Sequence, residues 1–211
     1  MKPFSDACDE NKVPILQVIQ SYFAKATSVL EIGSGTGQHA VFFAEKMPQL
    51  QWHCSDQLIH HPGINQWLVE YTGTNITGPH NLDVKQASWP VPNKSSAHFS
   101  GIFSANTTHI MSWPEVELMF TGISKCLASE DGAGDGEECS GYFCLYGPFN
   151  YDGAFTSTSN EQFDRFLKAR DPQSGIRDLN DLRQLASQVG MTLINDHEMP
   201  VNNRILVWKK D

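Results

Sequence analysis

Basic side chains are scarce in this sequence. Only 15 Lys and Arg stand against 24 Asp and Glu in 211 residues, a formal net charge of −9, and no basic run occurs. Nucleic-acid binding relies on Lys and Arg to neutralise phosphates, so neither nucleic acid nor an anionic membrane surface is an expected partner. Long apolar runs are also missing: none reaches the roughly eighteen residues that a membrane-spanning helix needs. The opening residues Met1 to Asp6 lack the apolar stretch of a secretion signal, so a soluble, cytoplasmic protein is expected. Cys8, Cys54, Cys126, Cys139 and Cys144 form no Cys-x-x-Cys pair, and the His residues form no His-x-x-x-His. No metal centre is expected, and the cysteines read as reduced thiols.

What is present is enough apolar residue, 40%, to bury a substantial core. With no internal repeat and no proline-rich linker, one domain over 1–211 is expected. Five of the acids fall between Ser129 and Glu138, in a Gly-rich stretch that reads as a loop of about 129–140. Around it, short apolar strands alternate with helical patterns. Ile15, Leu16, Ile19, Tyr22 and Phe23 recur at helical spacing after Pro14, which suits a first turn. Strands are predicted at 28–32, 50–54, 79–83, 99–104, 142–146, 192–197 and 205–208. Helices are predicted at 38–47, 62–71 and 112–127, the last opened by a capping box of Ser112 and Glu115. Two more helices are expected, one opened by Ser159 and Gln162, the other running from Asp178 to Val189. Such alternation, closed by a hairpin-like pair, argues for a doubly wound, mostly parallel sheet with an antiparallel last strand. Ligands in these sheets bind at the carboxyl ends of the strands.

The first strand runs into Glu31-Ile32-Gly33-Ser34-Gly35-Thr36-Gly37-Gln38-His39. Its glycines let backbone pass close under a ligand and leave helix amides free. A dinucleotide fingerprint would place its third glycine at position 38, where this chain has Gln38. The spacing instead resembles the first motif of S-adenosylmethionine (SAM) methyltransferases. Asp56 follows 19 residues after Gly37, where a carboxylate can accept both ribose hydroxyls of a nucleoside or simply cap a loop. Asp83, at the end of the third strand, either faces an adenine amino group or caps a turn.

Longer motifs carry a more specific resemblance. They are Asn11 with Pro14-Ile15-Leu16, Gly33 through Ala40, Trp52 with Ser55-Asp56, and Asn106-Thr107-Thr108-His109-Ile110 with Trp113. Tyr146-Gly147-Pro148-Phe149, Thr156-Ser157, Ser159-Asn160, Gly175-Ile176-Arg177-Asp178 and Met199-Pro200-Val201-Asn202-Asn203 complete them. Over about 11–209 the chain resembles the methyltransferase-like 26 family, also known as domain of unknown function 938. The resemblance implies a Rossmann-like sheet of seven strands and SAM as cofactor, with no defined acceptor. The acidic stretch looks like an insertion relative to that family, placed at the amino ends of the strands.

Methyl transfer needs alignment, exclusion of water and control of a proton, but no covalent nucleophile. After the fourth strand, Asn106 can hold an acceptor amine or the cofactor. His109 is the general-base candidate there, against packing on Trp113 or capping a helix. His39 either touches the carboxylate side of the cofactor or packs. Phe149 and Tyr151 can shield the sulfonium or stack on a substrate, unless they only pin a surface loop. Arg177 either clamps an anionic substrate group or pairs with Asp178 or Asp171. Asn202 and Asn203 either make a tight turn or reach the substrate. The expected activity is SAM-dependent methylation of a small molecule. A non-catalytic adaptor that keeps the fold is the second reading, and a nicotinamide-dependent oxidoreductase, disfavoured by the glycine spacing, is the third.

Overall fold

The computed structural model describes residues 2–90, 98–129 and 141–211, so the acidic stretch beyond Ser129, including Cys139, lies outside the described residues. The strands are β1 (Ser28–Ile32), β2 (Gln51–Asp56), β3 (Ile76–Asn81), β4 (Gly101–Ala105), β5 (Tyr142–Gly147), β6 (Phe149–Asn150), β7 (Arg177–Asp178), β8 (Met191–Met199) and β9 (Asn203–Lys210). The helices are α1 (Asp6–Tyr22), α2 (Gln38–Lys46), α3 (His61–Leu68), α4 (Trp113–Cys126), α5 (Thr158–Arg170) and α6 (Leu179–Gln188). Seven strands form the main sheet in the order β3-β2-β1-β4-β5-β9-β8. β9 runs antiparallel to both β5 and β8, and the other pairs in this sheet are parallel, so the last strand is antiparallel as the sequence predicts.

Why the sheet has helices on both faces follows from the side chains. β1 is buried along its whole length, and alternate residues serve opposite layers. Leu30 and Ile32 join the layer under α4 and α6, with Val116, Phe120, Ile123 and Leu182. Val29 joins Ile15, Ile19, Phe43 and Ile64 under α1, α2 and α3. Phe43 lies 5.4 Å from Trp52 and 5.3 Å from Phe103, ring centre to ring centre, and anchors this second layer.

Several boundaries differ from expectation, and four of the differences have a cause in the structure. The first helix starts eight residues before Pro14, because the Ser5 hydroxyl caps the Cys8 amide at 3.3 Å and Asp6 and Asp9 favour the positive helix end. β2 extends to Asp56 because it stays paired with β3 as far as Asn81. β3 begins at Ile76 and ends at Asn81, which leaves Asp83 beyond the strand; Pro79 is tolerated on this edge strand. The cap of α5 is Ser157, whose hydroxyl accepts from Asn160 N at 3.1 Å, rather than Ser159. The box of Ser112 and Glu115 opens α4 as predicted.

The last described residue before the acidic stretch is Ser129, and Gly141 N donates to Ala128 O at 3.0 Å, at the amino end of β5. Among the described residues no helix is long and apolar enough to cross a membrane.

Candidate functional site

The parallel register brings Ile32, Ser55, Ser104 and Tyr146 to one edge of the sheet, and the order reverses between β1 and β4. That reversal opens a crevice at the carboxyl ends. The glycine turn fills one side of it. Gly33 and Ser34 both donate their amides to Ser55 O, at 3.0 and 2.9 Å. Gly33, at φ +75°, has no room for a side chain: a β-carbon would lie 2.7 Å from Thr107 Cγ2. Beneath the turn, Glu31 accepts from Ser34 Oγ at 2.9 Å and Trp52 Nε1 at 3.0 Å. Burial pushes its carboxyl up to about 7. Glu31 therefore braces the turn from inside the fold. Gly37 backs against Ile64 and sets the contact of α2 with α3.

A cavity of about 460 Å³ opens above the turn, walled by Gly33, Ser34, Gly35, His39, Asp56 and Asn106 among others. Asp56 accepts from Gly35 N at 2.8 Å and Gln57 N at 2.7 Å. Each carboxylate oxygen keeps accepting capacity toward the cavity. Asp83 does not line it; its Oδ1 accepts from Lys85 N at 2.9 Å, while Leu82 and Val84 form that wall.

The beginning of α1, which sequence reasoning read as lying outside the helix, forms the roof. Ser5 and Cys8 face the first cavity. Gln38 holds this roof down: its Oε1 accepts from Ser5 N at 2.6 Å, and its Nε2 donates to Ser5 O at 3.3 Å. The residue that broke the dinucleotide pattern thus fastens α1 over the glycine turn. The acids of the first helical turn and Ser5 were the local signal for this earlier start. One turn further along α1, Asn11 meets His39 Nε2 at 2.7 Å, and the Tyr146 hydroxyl faces the amides of Asn11 and Asn203.

A second cavity of about 470 Å³ adjoins the first, and Asn106 lines both. Asn106 sits at φ +60°, a left-handed conformation that Asn tolerates, with its amide donating to Tyr146 O at 2.9 Å. His109 and Asn203 also line the second cavity. The His109 ring packs edge-on against Phe163 at 5.2 Å, and burial, then the nearby Arg177 charge, pushes its pKa down to about 4. It is a neutral imidazole at neutral pH. A β-carbon at Gly147 would sit 3.9 Å from both Asn106 Oδ1 and His109 Nδ1, so these two groups flank one small space.

Of the remaining predicted residues, Phe149, Tyr151 and Arg177 line neither cavity, and Asn202 sits in the turn whose Val201 and Asn203 line the second. Phe149 is wholly buried in the α4–α6 layer, and β6 pairs with β7, so this stretch is no free loop. The Tyr151 hydroxyl donates to Asp196 Oδ2 at 2.7 Å. Arg177 donates to Thr108 O at 3.0 Å, Gln173 O at 2.9 Å and Met111 O, which straps down the loop carrying His109. Asn202, at φ +57°, makes the turn, its carbonyl accepting from Asn160 Nδ2 at 3.1 Å.

Three buried histidines make stability depend on pH. Burial pushes His39, His53 and His109 down to about 4 from 6.5, so the folded chain resists protons that the unfolded chain accepts below pH 6.5. Stability therefore falls as pH drops from about 6.5 toward 4. Glu31 opposes this, because its raised pKa favours the fold as pH drops from about 7 to 4.5. These three histidines, joined by His80, which burial also pushes down, outweigh Glu31 and leave a net loss on the order of 3 kcal/mol between pH 7.5 and pH 5. Urea unfolding at the two pH values checks this; equal or greater stability at pH 5 would refute it.

The sheet order and the crevice define the seven-strand methyltransferase fold. The chain belongs to the family described as "Protein of unknown function (DUF938)", matched over residues 2–210. Among solved structures it is similar to an O-methyltransferase family protein from Burkholderia thailandensis, at TM-score 0.77 and 12% identity over 98% of this chain and 58% of that one. Human N-acetylserotonin methyltransferase, solved in complex with SAM, superposes at TM-score 0.74 and 12% identity, covering 97% of this chain and 53% of that one. An O-methyltransferase family 2 protein from Planctomyces limnophilus, in complex with apigenin, gives TM-score 0.70 and 13% identity over 87% and 51%. The chain thus spans a little over half the length of these structures.

Proposed function

We propose that the chain is a SAM-dependent methyltransferase acting on a small-molecule acceptor, and that it stands with the methyltransferase-like 26 proteins that it resembles. One observation carries this reading: a nucleoside-sized cavity over the glycine turn, with Asp56 on its wall, joins a second cavity at Asn106. The fold likeness supports it.

The residues fit the cofactor. Gly35, at φ +57°, has nothing within 4 Å of where its β-carbon would lie, so ligand can approach its backbone. Asp56 would accept the ribose hydroxyls, and Ser34 and His39 would stand at the glycine-turn end, while Asp83, bound to Lys85 N outside the cavity, takes no part. Glu31 and Gly37 hold the turn in shape. Bound there, SAM supplies a methyl group activated on a positively charged sulfur.

Asn106 orients the acceptor at the junction, and neutral His109 receives its proton as the methyl group transfers. This step lies at the low end of the roughly 10²–10⁴ in rate that general bases supply, because burial and Arg177 make the ring a weak base. Asn203 and the Asn202 turn close the far wall of the second cavity. Arg177 positions His109 through the carbonyls of Thr108 and Met111. The Phe149 ring edge, its Cζ 3.9 Å from the β-carbon position at Gly147, closes the space between Asn106 and His109 from the core side, and Tyr151 braces the surrounding edge through Asp196. Calorimetric titration with S-adenosylhomocysteine tests the reading. Binding at micromolar strength is expected, and absence of binding by the wild-type chain would end it.

A further inference from the structure

We infer that the second cavity binds an uncharged or cationic hydroxylated ring compound, places its hydroxyl between Asn106 and His109, and rejects anions, with Glu10 at the rim setting the charge preference. This deepens the methyl-transfer reading and rests on it. Among the described residues lining the cavity there is no Lys or Arg, and Glu10 on the exposed rim is the one carboxylate. An anion entering would lose its hydration with no Lys or Arg in the wall to pair with, only the field of Arg177 behind His109, and would pass Glu10 on the way.

The walls favour a ring. Phe163, Tyr146, Pro148, Pro200 and Val201 offer flat or branched apolar surfaces. The polar groups there differ in availability. Asn160 Nδ2 is already engaged by Thr156 Oγ1 at 2.8 Å and Asn202 O at 3.1 Å. Asn203 Nδ2 reaches Pro200 O at 3.4 Å. The side chains of Asn106 and His109 make no hydrogen bond to other described residues, and both border the space beside Gly147. A hydroxyl suits that pair, since it donates to one group and accepts from the other.

Backbone strain marks the same rim. Val201 holds φ +60° although it is β-branched, and it is 76% exposed. Such a conformation is unfavourable for a β-branched residue and persists where the surroundings impose it. Here the Asn160 to Asn202 bond holds the turn, and Val201 lines the cavity mouth.

The test uses the full chain saturated with S-adenosylhomocysteine and three probes of similar shape: 4-hydroxybenzyl alcohol, 4-hydroxybenzylamine and 4-hydroxybenzoate. Ligand-observed NMR titrations should detect the neutral and cationic probes, with the carboxylate about tenfold weaker or more. Glu10→Lys should strengthen 4-hydroxybenzoate binding about threefold at low salt, and much of that gain should vanish at high salt, because the rim is exposed. Gly147→Val should remove binding of the alcohol and leave S-adenosylhomocysteine affinity within about threefold. Tighter or equal binding of 4-hydroxybenzoate would overturn the inference, as would no binding of the alcohol by a chain that binds S-adenosylhomocysteine. A chain that fails to bind S-adenosylhomocysteine overturns the methyl-transfer reading instead. The three probes are then titrated without it, and their order still decides the charge preference.

Discussion

Asp56→Ala is expected to weaken S-adenosylhomocysteine binding by about a hundredfold or more. Its carboxylate already accepts the Gly35 and Gln57 amides and keeps accepting capacity toward the first cavity. Two hydrogen bonds from a ribose diol to a charged acceptor are worth roughly 1.5–3 kcal/mol each, which is at least two decades of affinity. The substitution also leaves two amides without an acceptor, so affinity and stability must be read separately. Urea unfolding reports the second, and titration at a temperature well below the transition reports the first. Asp56→Asn, which retains one carbonyl oxygen, should fall between wild type and Asp56→Ala in affinity. A folded Asp56→Ala chain that binds within about threefold of wild type would remove Asp56 from the cofactor site.

His109→Gln should lower methyl transfer to a hydroxylated ring acceptor by about a hundredfold or more, with S-adenosylhomocysteine affinity kept within about threefold. His109 lines the second cavity only, so the cofactor cavity should not register its loss. The split between rate and cofactor affinity separates a proton-accepting role from a packing role, and the pH profile checks the protonation state of the ring. Burial and Arg177 hold the ring neutral down to about pH 4, so the wild-type rate should show no histidine limb near 6.5 as pH falls from 8 to 5. Initial rates with radiolabelled methyl donor measure both effects. A variant that loses rate and cofactor affinity together would make His109 a structural residue, held against Phe163 at 5.2 Å.

How much of this was readable from residues depends on the range of the interactions involved. The capping box of Ser112 and Glu115 is complete within four residues, and the structure forms it. The glycine turn is likewise local, since positive φ at Gly33, Gly35 and Gly37 follows from residue type and position after a buried strand. The start of α1 was only half readable: Pro14 suggested a beginning, but Ser5 and the acids behind it supply the cap. Its position over the crevice depends on Gln38, 33 residues from Ser5 in sequence. Arg177 shows the opposite limit. Neighbouring acids suggested an ion pair, whereas its donors reach carbonyls up to 69 residues away.

The sequence by itself determined the alternation of strands and helices, the antiparallel last strand and the turn that opens the crevice. Each of these rests on periodicity or on backbone preferences of nearby residues. The tertiary structure alone decided which side chains face the crevice. It turned Phe149 into the core, put Glu31 beneath the turn, and gathered Asn11, His39, Tyr146 and Asn203 along one wall. The physical reason is that a side chain's direction at a strand end is set by pairing register and by partners remote in sequence. Neither is encoded in the local pattern that makes the strand.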